Sequence, residues 1–270
     1  MHDFAYHRAT SVADAIAAKR QDDGALFLAG GMSLVPLLKQ RLSAPAALID
    51  LRGLAALRGI GLLGDRLTVG AMATHDAIAC SSAVRAAIPA LARMAGEIGD
   101  PQVRHAGTLG GAVANGDPAA DYPAAIVGLD AVIVTDRREI AAADFFLGPF
   151  ETALNADELI TAVAFPVPAR AGYARFCQLA SRYPLVGVLA AKTATGVRVA
   201  VTGAAASVFR CAQFERALAG DFTPAAIDGL VLAEDGLTSD RNGSAGYRAH
   251  LVGVLARRAI AGADGDEPRA

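Results

Sequence analysis

The order of apolar and polar positions marks elements from the first residues onward. Ser11-Val12-Ala13-Asp14 has the form of a helix capping box and leads into Ala15-Ile16-Ala17-Ala18, which predicts a short helix. Ala25-Leu26-Phe27-Leu28 reads as a short buried strand that ends at Gly30-Gly31. Ser33 is then placed to cap a helix running from Leu34 to Leu42, with Pro36 tolerated in a first turn whose N–H groups are free in any case. A further strand over Ala47-Leu48-Ile49-Asp50-Leu51 closes a small β-α-β unit.

Beyond it the pattern changes. Ile60–Leu63 and Leu67–Gly70 flank Gly64-Asp65-Arg66, which predicts a hairpin. Helical patterns follow over Thr74–Cys80 and Ala83–Ala95, then a glycine-rich stretch from Gly99 to Gly116 and a helix over Tyr122–Leu129. Ala131–Val134 and Leu159–Val163 read as strands. Pro166-Val167-Pro168 interrupts both helix and strand and is the best boundary, which divides the chain into 1–167 and 168–270. Past it, Val197–Gly203 reads as a strand, and Phe209–Leu218, Pro224–Leu232 and Ser244–Ala261 as helices. The tail Gly262–Ala270 is expected to be mobile.

Composition narrows the function classes. With 53% hydrophobic and 19% charged residues among 270, the chain has enough apolar content for a packed fold. Its net charge of −2 carries no basic surplus, so no nucleic-acid partner is expected. The start lacks the apolar core of a secretory signal, and glycine, proline or charge breaks every apolar stretch short of a membrane span. The three cysteines, Cys80, Cys177 and Cys211, are far apart, which predicts reduced thiols, a cytoplasmic location and no iron–sulfur or zinc site of the chain's own. The five histidines are scattered without metal spacing, and each reads as a surface or hydrogen-bonded structural residue, so no metal ligand and no catalytic residue is assigned.

Two segments stand out, Ala29-Gly30-Gly31-Met32-Ser33 and Thr108-Leu109-Gly110-Gly111-Ala112. Each pairs two glycines with a nearby hydroxyl. Without Cβ atoms in the way, backbone N–H groups can converge on an anion, and two such loops can clamp a diphosphate. Ordinary tight turns would give the same pattern. A G-x-G-x-x-G at Gly59–Gly64 lies inside the predicted hairpin instead of opening a helix, so it is not a dinucleotide fingerprint. The lack of a local acid–base pair is consistent with a protein that positions a redox cofactor, which carries the electron chemistry itself.

Several motifs resemble the flavin subunits of molybdenum hydroxylases. Ala29–Ser33 resembles their A-G-G-x-S loop, and Gln102–Gly111 their Q-[IV]-R-N-x-G-T-[IL]-G-G segment. Ala114–Pro123 resembles the A-[HN]-[AG]-D-P-x-x-D-x-P that follows it, and Ser244–Arg248 with Leu255–Ala259 the last helix. The resemblance implies an α+β protein. Its N-terminal FAD-binding domain, of the PCMH type, would have two subdomains (about 1–52 and 53–167), and its C-terminal domain a small antiparallel sheet and helices. It implies that Ala29–Ser33 and Thr108–Ala112 hold the FAD diphosphate, that Asp121 bonds the ribityl chain and that Ile160 contacts the flavin.

Tyr183 would lie over the isoalloxazine ring, and Gln178 stands where the family has a lysine. Ala112 and His105 replace more usual polar residues. The resemblance further implies a large partner with molybdopterin and a small partner with two [2Fe–2S] clusters, in a dimer of heterotrimers. This chain would pass electrons from the clusters to an external acceptor. A self-sufficient flavoprotein oxidase or reductase and a non-catalytic nucleotide-binding scaffold are the competing readings.

Overall fold

A computed structural model describes residues 1–264. The first sheet is parallel, in the order β1-β3-β2, and consists of β1 (Ala5–Arg8), β2 (Leu26–Leu28) and β3 (Ala47–Asp50). Helices α1 (Val12–Gln21) and α2 (Leu34–Lys39) supply the crossovers. The expected β-α-β unit is therefore present, with β1 added on the far side of β3. β1 escapes the pattern reading because only His7 among its residues is even partly buried, so it shows no apolar alternation. Ser11 caps α1 by accepting from Asp14 N–H at 3.0 Å. Ser33, in contrast, does not cap α2: its backbone is already helical and its side chain makes no cap bond.

The second sheet has the order β4-β5-β10-β6-β7. The hairpin of β4 (Ile60–Leu63) and β5 (Arg66–Gly70) forms as the sequence predicts. A run of helices follows: α3 (His75–Cys80), α4 (Ser82–Ala87), α5 (Pro89–Glu97), α6 (Pro101–Ala106), α7 (Leu109–Asn115) and α8 (Tyr122–Gly128). The single helix expected over Ala83–Ala95 is broken at Ile88, because Pro89 pushes the residue before it out of the helical region. The glycine-rich stretch is not a loop but holds α6 and α7, started by the side-chain caps Asp100 and Thr108. β6 (Val132–Thr135), β7 (Glu139–Ala141), the small hairpin β8 (Phe146–Gly148) with β9 (Glu151–Thr152), and β10 (Ile160–Pro166) complete this part.

The third sheet is antiparallel, in the order β11-β12-β13-β14. Its strands are β11 (Arg170–Cys177), β12 (Pro184–Thr193), β13 (Gly196–Thr202) and β14 (Phe209–Arg210), accompanied by α9 (Ala212–Leu218) and α10 (Ala245–Ala261). Leu189, Ala191 and Ala200 on one face join the core that contains α8, while Val188, Ala190, Val199 and Val201 on the other pack with α10. Phe209 and Arg210, expected to open a helix, instead pair with Val201 and Ala200, and the helix begins at Ala212. The helix expected over Pro224–Leu232 reduces to one 3-10 turn, Pro224–Ile227. Of the expected mobile tail, Gly262–Asp264 form a 3-10 turn and the remainder lies outside the described residues.

Candidate functional site

The two glycine segments meet. A Cβ added to Gly30 would lie 2.0 Å from the Ala106 carbonyl oxygen, so only glycine allows the first segment to lie against the backbone that enters the second. Ala29 and Gly111 are also neighbours, with 3.4 Å between the Ala29 Cβ and a Cβ placed on Gly111. Their junction forms one wall of a cleft of about 540 Å³.

The segments differ in what they offer. Among the described residues, the N–H groups of Gly30, Gly31, Met32 and Ser33 have no acceptor, while Gly31 O takes the N–H of Val35 at 3.0 Å. The second segment uses four of its five backbone donors, and only the N–H of Thr108 has no acceptor among the described residues. Leu109 N–H goes to Ala73 O at 3.0 Å, Gly110 N–H to Ala71 O at 2.8 Å, and Ala112 N–H to Thr108 O at 3.0 Å. Gly111 N–H goes to the Thr108 hydroxyl at 3.2 Å. Thr108, Gly110, Gly111 and Ala112 shape the wall, and all five residues from Ala29 to Ser33 line it. Leu109 does not reach the cleft, since its side chain is fully buried in the main core.

Ile160 reaches the wall from the first position of β10, next to a register shift in that strand. The turn before it is held by Glu158, whose carboxylate accepts from Thr135 Oγ1 at 2.8 Å, Arg138 Nε at 2.9 Å and Asn155 N–H at 3.0 Å. Its hydrogen bond with the Arg138 guanidinium holds this acid down at about 2, so it stays ionised.

Asp121 precedes α8 and lines the cleft while only 5% exposed. Its Oδ1 accepts from the Tyr173 hydroxyl at 2.7 Å and from Arg175 at 2.9 Å, and Oδ2 accepts from Arg175 at 3.2 Å. Burial raises its pKa and the Arg175 charge pulls it down. Arg175 also pairs with Glu97 at 3.2 Å. One carboxylate therefore ties the cleft to β11.

The loop 178–183 between β11 and β12 closes the cleft on that side through Ser181, Arg182 and Tyr183. Gln178 is not on the wall; its backbone accepts from Arg182 N–H at 2.8 Å and donates to Tyr183 O at 2.9 Å. Among the lining residues not picked out from the sequence are His75, Tyr122 and Arg182. No local spacing marks them, because His75 and Tyr122 meet across 47 positions.

An α+β fold with a cleft of this size, backbone donors without acceptors on its wall and a tyrosine in its lining suits a protein that binds an anionic nucleotide cofactor. Residues 2–168 match the FAD binding domain in molybdopterin dehydrogenase, and residues 176–263 the CO dehydrogenase flavoprotein C-terminal domain. The chain is 36% identical over 271 residues to the nicotine 6-hydroxylase medium subunit of Paenarthrobacter nicotinovorans, covering 94% of this chain and 95% of that one. It is 35% identical to the carbon monoxide dehydrogenase medium chain of Afipia carboxidovorans, covering 95% of each. It also superposes on a chain of the cyanide-inactivated Cu,Mo-CO dehydrogenase with a TM-score of 0.90 at 34% identity, covering 98% of this chain and 99% of that one. The chain belongs to the FAD-binding medium subunits of the molybdenum hydroxylase family, and is an oxidoreductase subunit of the carbon monoxide dehydrogenase type.

FAD fits the cleft on physical grounds. Its volume lies within the roughly 300–1,000 Å³ usual for small-molecule and cofactor sites. Four consecutive N–H groups without an acceptor among the described residues suit a diphosphate, and apolar residues such as Leu57, Met72 and Leu159 line the remainder. Among the described residues no helix is long and apolar enough to cross a membrane, and no cluster of side chains could hold a metal ion.

Proposed function

We propose that this chain is the electron-transfer subunit of a cytoplasmic heterotrimeric hydroxylase, assembled as a dimer of heterotrimers. The observation that carries the reading is the cleft where the two glycine segments meet, with the unpaired donors of Gly30 to Ser33 on its wall. In this reading residues 1–167 form the FAD domain, with subdomains of about 1–52 and 53–167, and 168–270 the C-terminal domain. Ala29 to Ser33 bind the diphosphate through their N–H groups. Thr108, Gly110, Gly111 and Ala112 shape the same wall beside them, and Leu109 anchors them from the core. Oδ2 of Asp121 has one recorded partner and keeps acceptor capacity for a ribityl hydroxyl. Ile160 and Tyr183 flank the ring system, and Gln178 orders the loop that carries Tyr183.

Bound FAD supplies the redox chemistry; the residues named here bind it, orient it and exclude water. A large molybdopterin subunit oxidises the substrate, and a small subunit with two [2Fe–2S] clusters delivers the electrons, which leave this chain for an external acceptor. Relatives named for both carbon monoxide dehydrogenase and nicotine hydroxylase support placing substrate choice on another chain.

The test is co-purification. The tagged chain, expressed with its neighbouring genes, is expected to elute with two further chains and with iron and molybdenum in fixed proportion. A chain that elutes alone, without either metal, and oxidises an organic substrate unaided would favour the self-sufficient flavoprotein instead.

A further inference from the structure

His75 opens α3 directly after its capping residue Thr74, and its backbone N–H donates to Gly107 O at 3.0 Å. The imidazole is thereby held against the entrance of the second glycine segment, where it lines the cleft while only 4% exposed. A Cβ on Gly107 would come within 2.6 Å of Nε2, so only glycine at 107 leaves that ring edge uncovered.

The two ring nitrogens differ. Nδ1 lies 3.1 Å from the hydroxyl of Tyr122, a side chain with no solvent exposure. A buried O–H needs an acceptor, and among the described residues Nδ1 is the only partner of this one. Tyr122 therefore donates to Nδ1, and the ring proton sits on Nε2. Nε2 has no acceptor among the described residues, and it is not among the polar atoms sealed from solvent without a partner. It opens to the cleft. Burial and the nearby positive charge of Arg104 hold the ring's pKa down to about 4, so the group offers a neutral N–H donor at neutral pH.

We propose that His75 is a cofactor-binding residue whose Nε2–H donates to an anionic oxygen of the FAD diphosphate beside the glycine segments. This rests on the flavin reading above. Tyr122 acts as a positioning residue that fixes the tautomer.

The test compares His75→Gln, His75→Asn and Tyr122→Phe with the wild type, by FAD affinity measured through quenching of flavin fluorescence. The full chain is used both alone and in its purified assembly, and urea unfolding of each variant serves as a folding control. The glutamine amide reaches the Nε2 position and the asparagine amide only the Nδ1 position. His75→Gln should bind FAD within about threefold of wild type, and His75→Asn about tenfold or more weaker, as for a lost hydrogen bond to a charged group. Tyr122→Phe, which keeps the imidazole but frees its tautomer, should weaken binding severalfold. Equal affinities in all variants, or asparagine outperforming glutamine, would overturn the proposal and reduce His75 to a structural partner of Tyr122. A wild-type chain that takes up no FAD in either form would instead overturn the flavin reading itself.

Discussion

His75 and Asp121 are both nearly sealed from solvent, yet one is kept neutral and the other is locked in an ion pair. For His75 the sign of the pH effect follows from its depressed pKa. The unfolded chain takes up a proton below about 6.5, but the folded ring does not until about 4. Its contribution to stability is present above 6.5 and is lost as pH falls toward 4, on the order of 2 kcal/mol between pH 7 and 5. Urea unfolding of wild type and His75→Gln at both pH values should show that extra loss only in the wild type. Asp121→Asn removes the carboxylate opposite Arg175, whose remaining anionic partner is Glu97. A loss of about 3 kcal/mol is expected, the low end for breaking a buried pair, and denaturant titration measures it. Neither role was legible in the sequence. Tyr122 is 47 residues from His75, and Tyr173 and Arg175 are 52 and 54 from Asp121, so the partners become visible only once the sheets are assembled.

At the scale of elements, the hairpin of β4 and β5 and the first β-α-β unit could be read because their turns carry glycine signals and their apolar runs are short. β11 and β12 could not. Eight consecutive residues of β12 are buried, since α8 covers one face of the sheet and α10 the other. A strand buried on both faces loses the two-residue alternation that identifies strands. The glycine segments were legible as a pair, and the structure adds a packing reason for one of their glycines. Gly30 is required by the approach of Ala106, and among the described residues most of the free backbone donors lie on the first segment. Gly30→Ala should therefore cost about 1–3 kcal/mol through overpacking, and also weaken FAD binding by forcing the segments apart. Thermal unfolding and flavin titration of that one variant check both effects. If affinity falls with no change in stability, the contact is not the cause.

Taken whole, the molecule does not separate cleanly at Pro166–Pro168. Ala171, Leu189, Ala191 and Ala200 from the third sheet sit in the same core as α5, α7 and α8. Asp121 and Arg175 tie the same halves together beside the cleft. Calorimetry should accordingly show one cooperative transition for the chain, with calorimetric and van't Hoff enthalpies in agreement. Two resolved transitions would mean that the shared core contributes little. The most direct measurement is the visible absorption spectrum of the purified, monodisperse protein, as the full chain and in its assembly, titrated with FAD. Saturation at one flavin per chain, with bands shifted from those of free FAD, is the predicted result. A folded protein whose spectrum stays that of free FAD at every ratio would contradict the assignment of this cleft.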